Sequence, residues 1–151
     1  MRPTLVGLAL AAAALAGCGG PPAQRPNAAM CFDFKAPKAT PAPGASAEAA
    51  ALDDCVRRWA YSLAPSRDEA GAVAEAVAAA CGTQLSRWNQ QALTQPGGDG
   101  ESTSLLTGDP TTPLAEHNAY AHTRALLYVV QARAGNCAPP PAKNGTPDGV
   151  S

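Results

Sequence analysis

The sequence predicts an all-α fold: a small domain of three to four helices, stapled by disulfides and set between a proline-rich tether and a disordered proline-rich tail. Three observations predict it. Apolar residues recur at helical spacing between Ser46 and Cys137. Ten of the 15 prolines lie in the flanking segments 19–45 and 138–151, which lack sustained apolar periodicity. Cys31, Cys55, Cys81 and Cys137 form an even set that pairs once Cys18 is given a separate role.

The chain opens with Arg2, an apolar run from Leu5 to Ala16 and a small-residue site, which is the pattern of an export signal and too short for an ordinary membrane-spanning helix. Leu15-Ala16-Gly17-Cys18 closes that run and resembles a bacterial lipobox. The resemblance implies removal of a signal peptide 1–17, a diacylglyceryl group on Cys18 and acylation of the new amine. Several acyl chains hold a protein on a membrane where one gives marginal binding. Glycine at position 19, where aspartate would retain the protein, points within the same resemblance to the outer membrane, with the domain facing the periplasm. The alternative is cleavage after Ala14-Leu15-Ala16, releasing a soluble protein that begins at Gly17. Cysteine parity favours the lipoprotein: five cysteines in an exported chain leave one unpaired unless Cys18 carries lipid.

Residues 18–45 read as the lipidated cysteine and its tether. From Gly19 to Met30 that tether reaches about 37 Å if extended as polyproline II and about 20 Å as a flexible coil. Within it Cys31-Phe32-Asp33-Phe34 holds both phenylalanines of the protein and is expected to dock on the domain.

The helical domain spans 46–137. Leu52, Cys55, Val56, Trp59 and Leu63 make one helical stripe, with Arg57 and Arg58 on what reads as a solvated face. Ala64-Pro65 breaks the chain. Ser66-Arg67-Asp68-Glu69 has the S-x-x-E form of a capping box, so the second helix is expected to start there. Its stripe of Val73, Val77, Ala80, Cys81, Gln84, Leu85 and Trp88 continues past Gly82 to Leu93, with a kink or short break expected near Gly82-Thr83. Both tryptophans fall on core stripes and read as packing.

Pro96-Gly97-Gly98 ends that element, and a polar loop runs to Thr112. Thr112-Pro113 then restarts the chain as N-cap and first helical residue, and the third helix runs to about Ala134. Its first half shows a face of Leu114, Ala121, Ala125, Tyr128 and Ala132; its second half adds Leu126, Leu127, Val129 and Val130 around much of the circumference. That breadth leaves apolar surface for Phe32 and Phe34, or for another protein. No strand-like alternation or hairpin signal competes with the helical reading of 46–137, and 138–151, proline-rich and without sustained apolar periodicity, is expected to be a disordered tail.

Three disulfide connectivities are open. Pairing Cys55 with Cys81 and Cys31 with Cys137 is favoured, because the first two sit on core stripes and the others clasp the ends. In a straight hairpin with the second helix starting at Ser66, Cys81 lies about 10 Å too far along the axis. The bond therefore requires a longer turn, a tilt or a kink. The segment from Cys55 to Cys81, CVRRWAYSLAPSRDEAGAVAEAVAAAC, resembles a helical hairpin of small exported alphaproteobacterial proteins, a resemblance that brings no activity and no functional residue.

No catalytic constellation emerges, and the protein is not expected to be an enzyme. His117 and His122, five residues apart on one helix, point about 140° apart and do not share a metal ion. Paired cysteines are neither ligands nor nucleophiles. The loop 96–102 lacks the lysine of a phosphate loop and the alternating acids of a calcium loop. No cofactor is implied. Net charge is −1 in the precursor and, with Arg2 lost, 10 basic against 12 acidic side chains, or −2, remain; this disfavours nucleic acid.

The expectation is a lipid-anchored interaction, structural or inhibitor module of the cell envelope, with Leu126, Leu127 and Val130 as the surface for an envelope protein. The alternative is a small-ligand binder or an unrecognised envelope hydrolase, with a pocket near His117 and Tyr128.

Overall fold

A computed structural model describes residues 27–36, 46–96, 100–104 and 107–150. The signal peptide, Cys18 and most of the tether lie outside the described residues. Four helices carry the architecture: α1 (Ala47–Leu63), α2 (Ala70–Ala80), α3 (Gly82–Leu93) and α4 (Pro113–Gly135). Two two-residue ladders join them, β1 (Ser102–Thr103) with β2 (Pro110–Thr111), and β3 (Ala142–Lys143) with β4 (Thr146–Pro147), both antiparallel. The all-α reading with its disulfides stands.

Helix α1 starts where local chemistry dictates, with the Ser46 side chain accepting from the Ala49 amide at 3.1 Å. Its predicted stripe faces inward: Leu52 and Val56 are fully buried and Cys55 nearly so. They meet Val77 of α2 and Ala121, Ala125, Val129 and Ala132 of α4 in one core. The alanines let α4 lie close against α1 and α2, so the core is thin in side-chain volume. Two covalent staples supplement a core of this kind.

The second helix begins later than its capping box suggests. Glu69 is the N-cap and its side chain makes no capping bond. The reason lies on α4. Arg133 Nε donates to the Ala64 carbonyl at 3.0 Å, and its Nη2 to those of Ser66 at 3.1 Å and Asp68 at 2.9 Å. Three carbonyls of 64–68 are thereby turned onto one guanidinium, which a helical turn begun at Ser66 would not allow. The longer turn also resolves the disulfide geometry. Counting from Leu63 and Ala70, the axial mismatch of Cys55 and Cys81 falls to about 4.5 Å. Their Cα atoms are 6.0 Å apart and bonded. The kink foreseen near Gly82 becomes a break at Cys81 (φ −99°, ψ 15°), the residue the disulfide ties to α1.

Helix α4 has the expected Thr112 cap and Pro113 start, and ends at Asn136 in the left-handed region, with φ 47° and ψ 49°. The Cys137 amide then donates back to the Ala132 carbonyl at 2.9 Å. This turn aims Cys137 at Cys31, to which it is bonded with Cα atoms 5.4 Å apart. The docked segment follows. The Phe32 amide donates to the Tyr61 hydroxyl at 3.1 Å, and Phe34 packs edge-on against the Tyr61 ring.

Two further expectations, both about segments outside the helices, are overturned. The loop between α3 and α4 contains the β1–β2 ladder, too short to show alternation in the sequence. The C-terminal tail is ordered through Val150 and lies on the bundle. Asn144 and Gly145 both have positive φ, 52° and 80°, which is the requirement of the tight primed turn joining β3 to β4. Asn-Gly is a strong hairpin signal, so the element was legible in the sequence. Beyond it Pro147 is fully buried. The carbonyls of Asp148 and Val150 accept from Arg58 Nη1 at 2.7 Å and from Gln84 Nε2 at 3.3 Å.

Candidate functional site

The densest polar chemistry among the described residues lies between α1 and α4. Asp53, one turn before Arg57, sits where α1 faces the Tyr120–Arg124–Tyr128 edge of α4, residues spaced four apart and therefore stacked along one side. Asp53 Oδ1 accepts from Arg124 Nε at 2.7 Å, from the Tyr128 hydroxyl at 2.8 Å and from the Tyr120 hydroxyl at 3.2 Å. Its Oδ2 accepts from Arg57 Nη2 at 2.5 Å and lies 2.9 Å from the Tyr128 hydroxyl. That hydroxyl in turn accepts from Arg57, at 2.7 Å, and from Arg124. Guanidinium groups lie over the rings: Arg57 is 4.3 Å from the Phe32 centroid and 4.8 Å from that of Tyr128, and Arg124 is 4.7 Å from the Tyr128 centroid.

Electrostatics fix the protonation states. Burial opposes a charge on Asp53, but hydrogen bonds from Arg124 and Tyr128 and the charges of Arg57 and Arg124 outweigh it and hold the carboxyl below its ordinary value. Burial pushes the Tyr128 phenol up to about 12, with the Asp53 charge adding to the shift. Burial raises the Tyr120 phenol as well. Near neutral pH the group is therefore one carboxylate, two guanidinium ions and two neutral phenols, with a net charge of +1. It clamps α1 to α4 and keeps its protons where they are.

Arg57 and Arg58, read from the sequence as a solvated face, are engaged instead. Arg58 is 8% exposed, with its Nε donating to Asp54 at 3.1 Å and its guanidinium over Phe34. Helical position alone placed both side chains off the core stripe. The docked segment and the C-terminal hairpin cover that side.

His117 is buried against α3, stacked on Trp88 with centroids 3.5 Å apart, its Nδ1 2.8 Å from Asn89 Oδ1. Burial lowers its pKa. His122 lies on the opposite flank, 3.4 Å from Glu75. The two histidines do not converge. Tyr120 stands between His117 and Tyr128, edge-on to Trp88 and with its hydroxyl on Asp53. No group of three or more histidine, cysteine or acidic residues placed to hold a metal ion occurs among the described residues.

Leu126, Leu127 and Val130 are 43%, 49% and 49% exposed. Phe32 and Phe34 do not cover them, because both are drawn to α1 by Arg57, Arg58 and Tyr61. Every exposed residue of α4 from Ala119 to Ala134 is uncharged: Ala119, Thr123, Leu126, Leu127, Val130 and Ala134. No described helix is long and apolar enough to cross a membrane. In comparisons with protein-family models, with curated proteins and with solved structures, nothing matches this chain.

Proposed function

We propose that the protein is an envelope lipoprotein, anchored through lipid on Cys18 and facing the periplasm, and that it acts as an interaction, structural or inhibitor module whose α4 face receives an envelope protein. The observation that carries this reading is the exposed, charge-free strip of α4 centred on Leu126, Leu127 and Val130. A contiguous apolar surface of this kind on a small domain marks a contact site. Two disulfides suit an oxidising compartment, and the lipobox-like Leu15-Ala16-Gly17-Cys18 supplies the anchor. The outer membrane follows from Gly19 within that resemblance.

The test is photo-crosslinking in cells from a diazirine amino acid at Leu126 or Val130, with the anchor intact and exposed Lys143 as the control position. One reproducible envelope protein captured from the α4 positions and absent from Lys143 supports the reading. Equal capture at all positions, or none from abundant protein, overturns it and directs the search to small ligands.

A further inference from the structure

The tether enters the domain at a defined place. The Met30 carbonyl accepts from Gln131 of α4, and Cys31 is bonded to Cys137 just beyond that helix. Gln131 is one turn from Leu127, so the chain arriving from Cys18 joins the domain beside the exposed apolar strip. Nine residues, Cys18 to Pro26, precede Asn27, and fully extended they span at most about 32 Å. Around the entry point Met30 and Phe32 are 37% and 38% exposed, and Leu127 is 49% exposed. Arg57 and Arg124 border this shoulder with one charge in excess of Asp53, while nearby Lys35 and Asp33 offset each other.

We infer that this shoulder, formed by Met30, Phe32 and Leu127 with Arg57 and Arg124 at its edge, rests on the lipid surface. The inference depends on the anchored reading of Cys18. It gives that reading an orientation: a short tether that enters beside apolar side chains brings them to the headgroup region first. Apolar groups settle at the boundary between headgroups and acyl chains, and a bordering guanidinium favours anionic headgroups. An excess of one charge makes the contact mainly apolar and only weakly dependent on salt. Leu126 and Val130 point away from the Gln131 side of α4, towards the flank carrying His122, and remain available to a protein partner at the membrane surface.

The test uses the full acylated protein, purified and reconstituted in vesicles of phosphatidylethanolamine and phosphatidylglycerol. A diazirine amino acid is placed at Met30, at Leu127 or, as control, at Ala79 on the exposed side of α2, and adducts are read by intact mass. One phospholipid mass added at Met30 and Leu127, at least tenfold above Ala79, is the expected result. Leu127→Glu, an exposed substitution, should reduce the adduct at Met30 severalfold with both disulfides retained. Equal adducts at all three positions, or none at Met30 and Leu127 in protein that carries acyl mass, overturn the inference alone. Protein bearing no acyl mass on Cys18 overturns the anchored reading and the inference with it, and the same spectrum distinguishes the two failures.

Discussion

The Tyr128 hydroxyl lies 2.8 and 2.9 Å from the two carboxylate oxygens of Asp53, a residue 75 positions earlier in the chain. This contact couples the first helix to the last through a half-buried group that also engages Arg57, Arg124 and Tyr120.

Removing the hydroxyl tests that coupling. Tyr128→Phe deletes a donor to Asp53 and an acceptor for two arginines while keeping the ring, and should cost on the order of 1–3 kcal/mol. Asp53→Asn should cost at least as much, because it leaves two partly buried guanidinium ions without their counter-ion. Chemical denaturation measures both. A loss below about 0.5 kcal/mol for each would make the cluster a bystander.

The same carboxylate sets an acid limb of stability. With its folded value below the ordinary 3.8, Asp53 contributes stability that is full above that pH and is lost as pH falls through the folded value. His117, held neutral by burial, acts at higher pH. Below its ordinary 6.5 the unfolded chain binds a proton that the folded one resists, so stability falls as pH drops from 6.5. Denaturant midpoints measured between pH 3 and 8 should show both limbs. His117→Gln should flatten the upper limb and leave the lower.

Gly135 reverses the usual effect of adding a methyl group to a helix. A Cβ there would meet Cys137 Sγ at 2.6 Å and Cys31 Sγ at 3.0 Å. Gly135→Ala, which ordinarily stabilises a helix by about 1 kcal/mol, should therefore destabilise the oxidised protein. In a background with Cys31→Ala and Cys137→Ala the substitution should be neutral or stabilising. A thermal-melt double-mutant cycle reads the change of sign.

The C-terminal hairpin should be needed for full stability. Deleting 142–151 removes the Asp148 carbonyl from Arg58 Nη1 and uncovers the side of α1 beneath Pro147. A loss of about 1–3 kcal/mol by denaturation is expected from the lost partner of a buried cation. Asn144→Ala with Gly145→Ala, which disfavours positive φ at both turn positions, should reproduce part of that loss.

Local chemistry made much of the fold legible. The Leu52–Leu63 stripe, the Ser46 and Thr112 caps and the parity of the four cysteines depend on residues near one another in sequence or on simple counting. They led to α1, to the start of α4 and to the favoured disulfide pairing. Leu126, Leu127 and Val130 were legible too, since they widen the apolar face beyond what the other helices cover. Asn144-Gly145 also carried a local signal, for a hairpin where a loose tail was expected.

By itself, then, the sequence determined helical type, the breaks at Pro65 and Pro96, and which cysteines were available to pair. Tertiary structure decided the rest. A capping box at Ser66 yielded to Arg133 because one guanidinium collecting three carbonyls outweighs a single side-chain cap. Arg57 and Arg58 looked solvated because their covers, Phe32, Tyr128 and Asp148, come from distant parts of the chain. The Asp53 cluster was hidden for the same reason. Helical periodicity reports which face a residue occupies, but the partner that meets that face is fixed only when the helices pack and the ends are clasped.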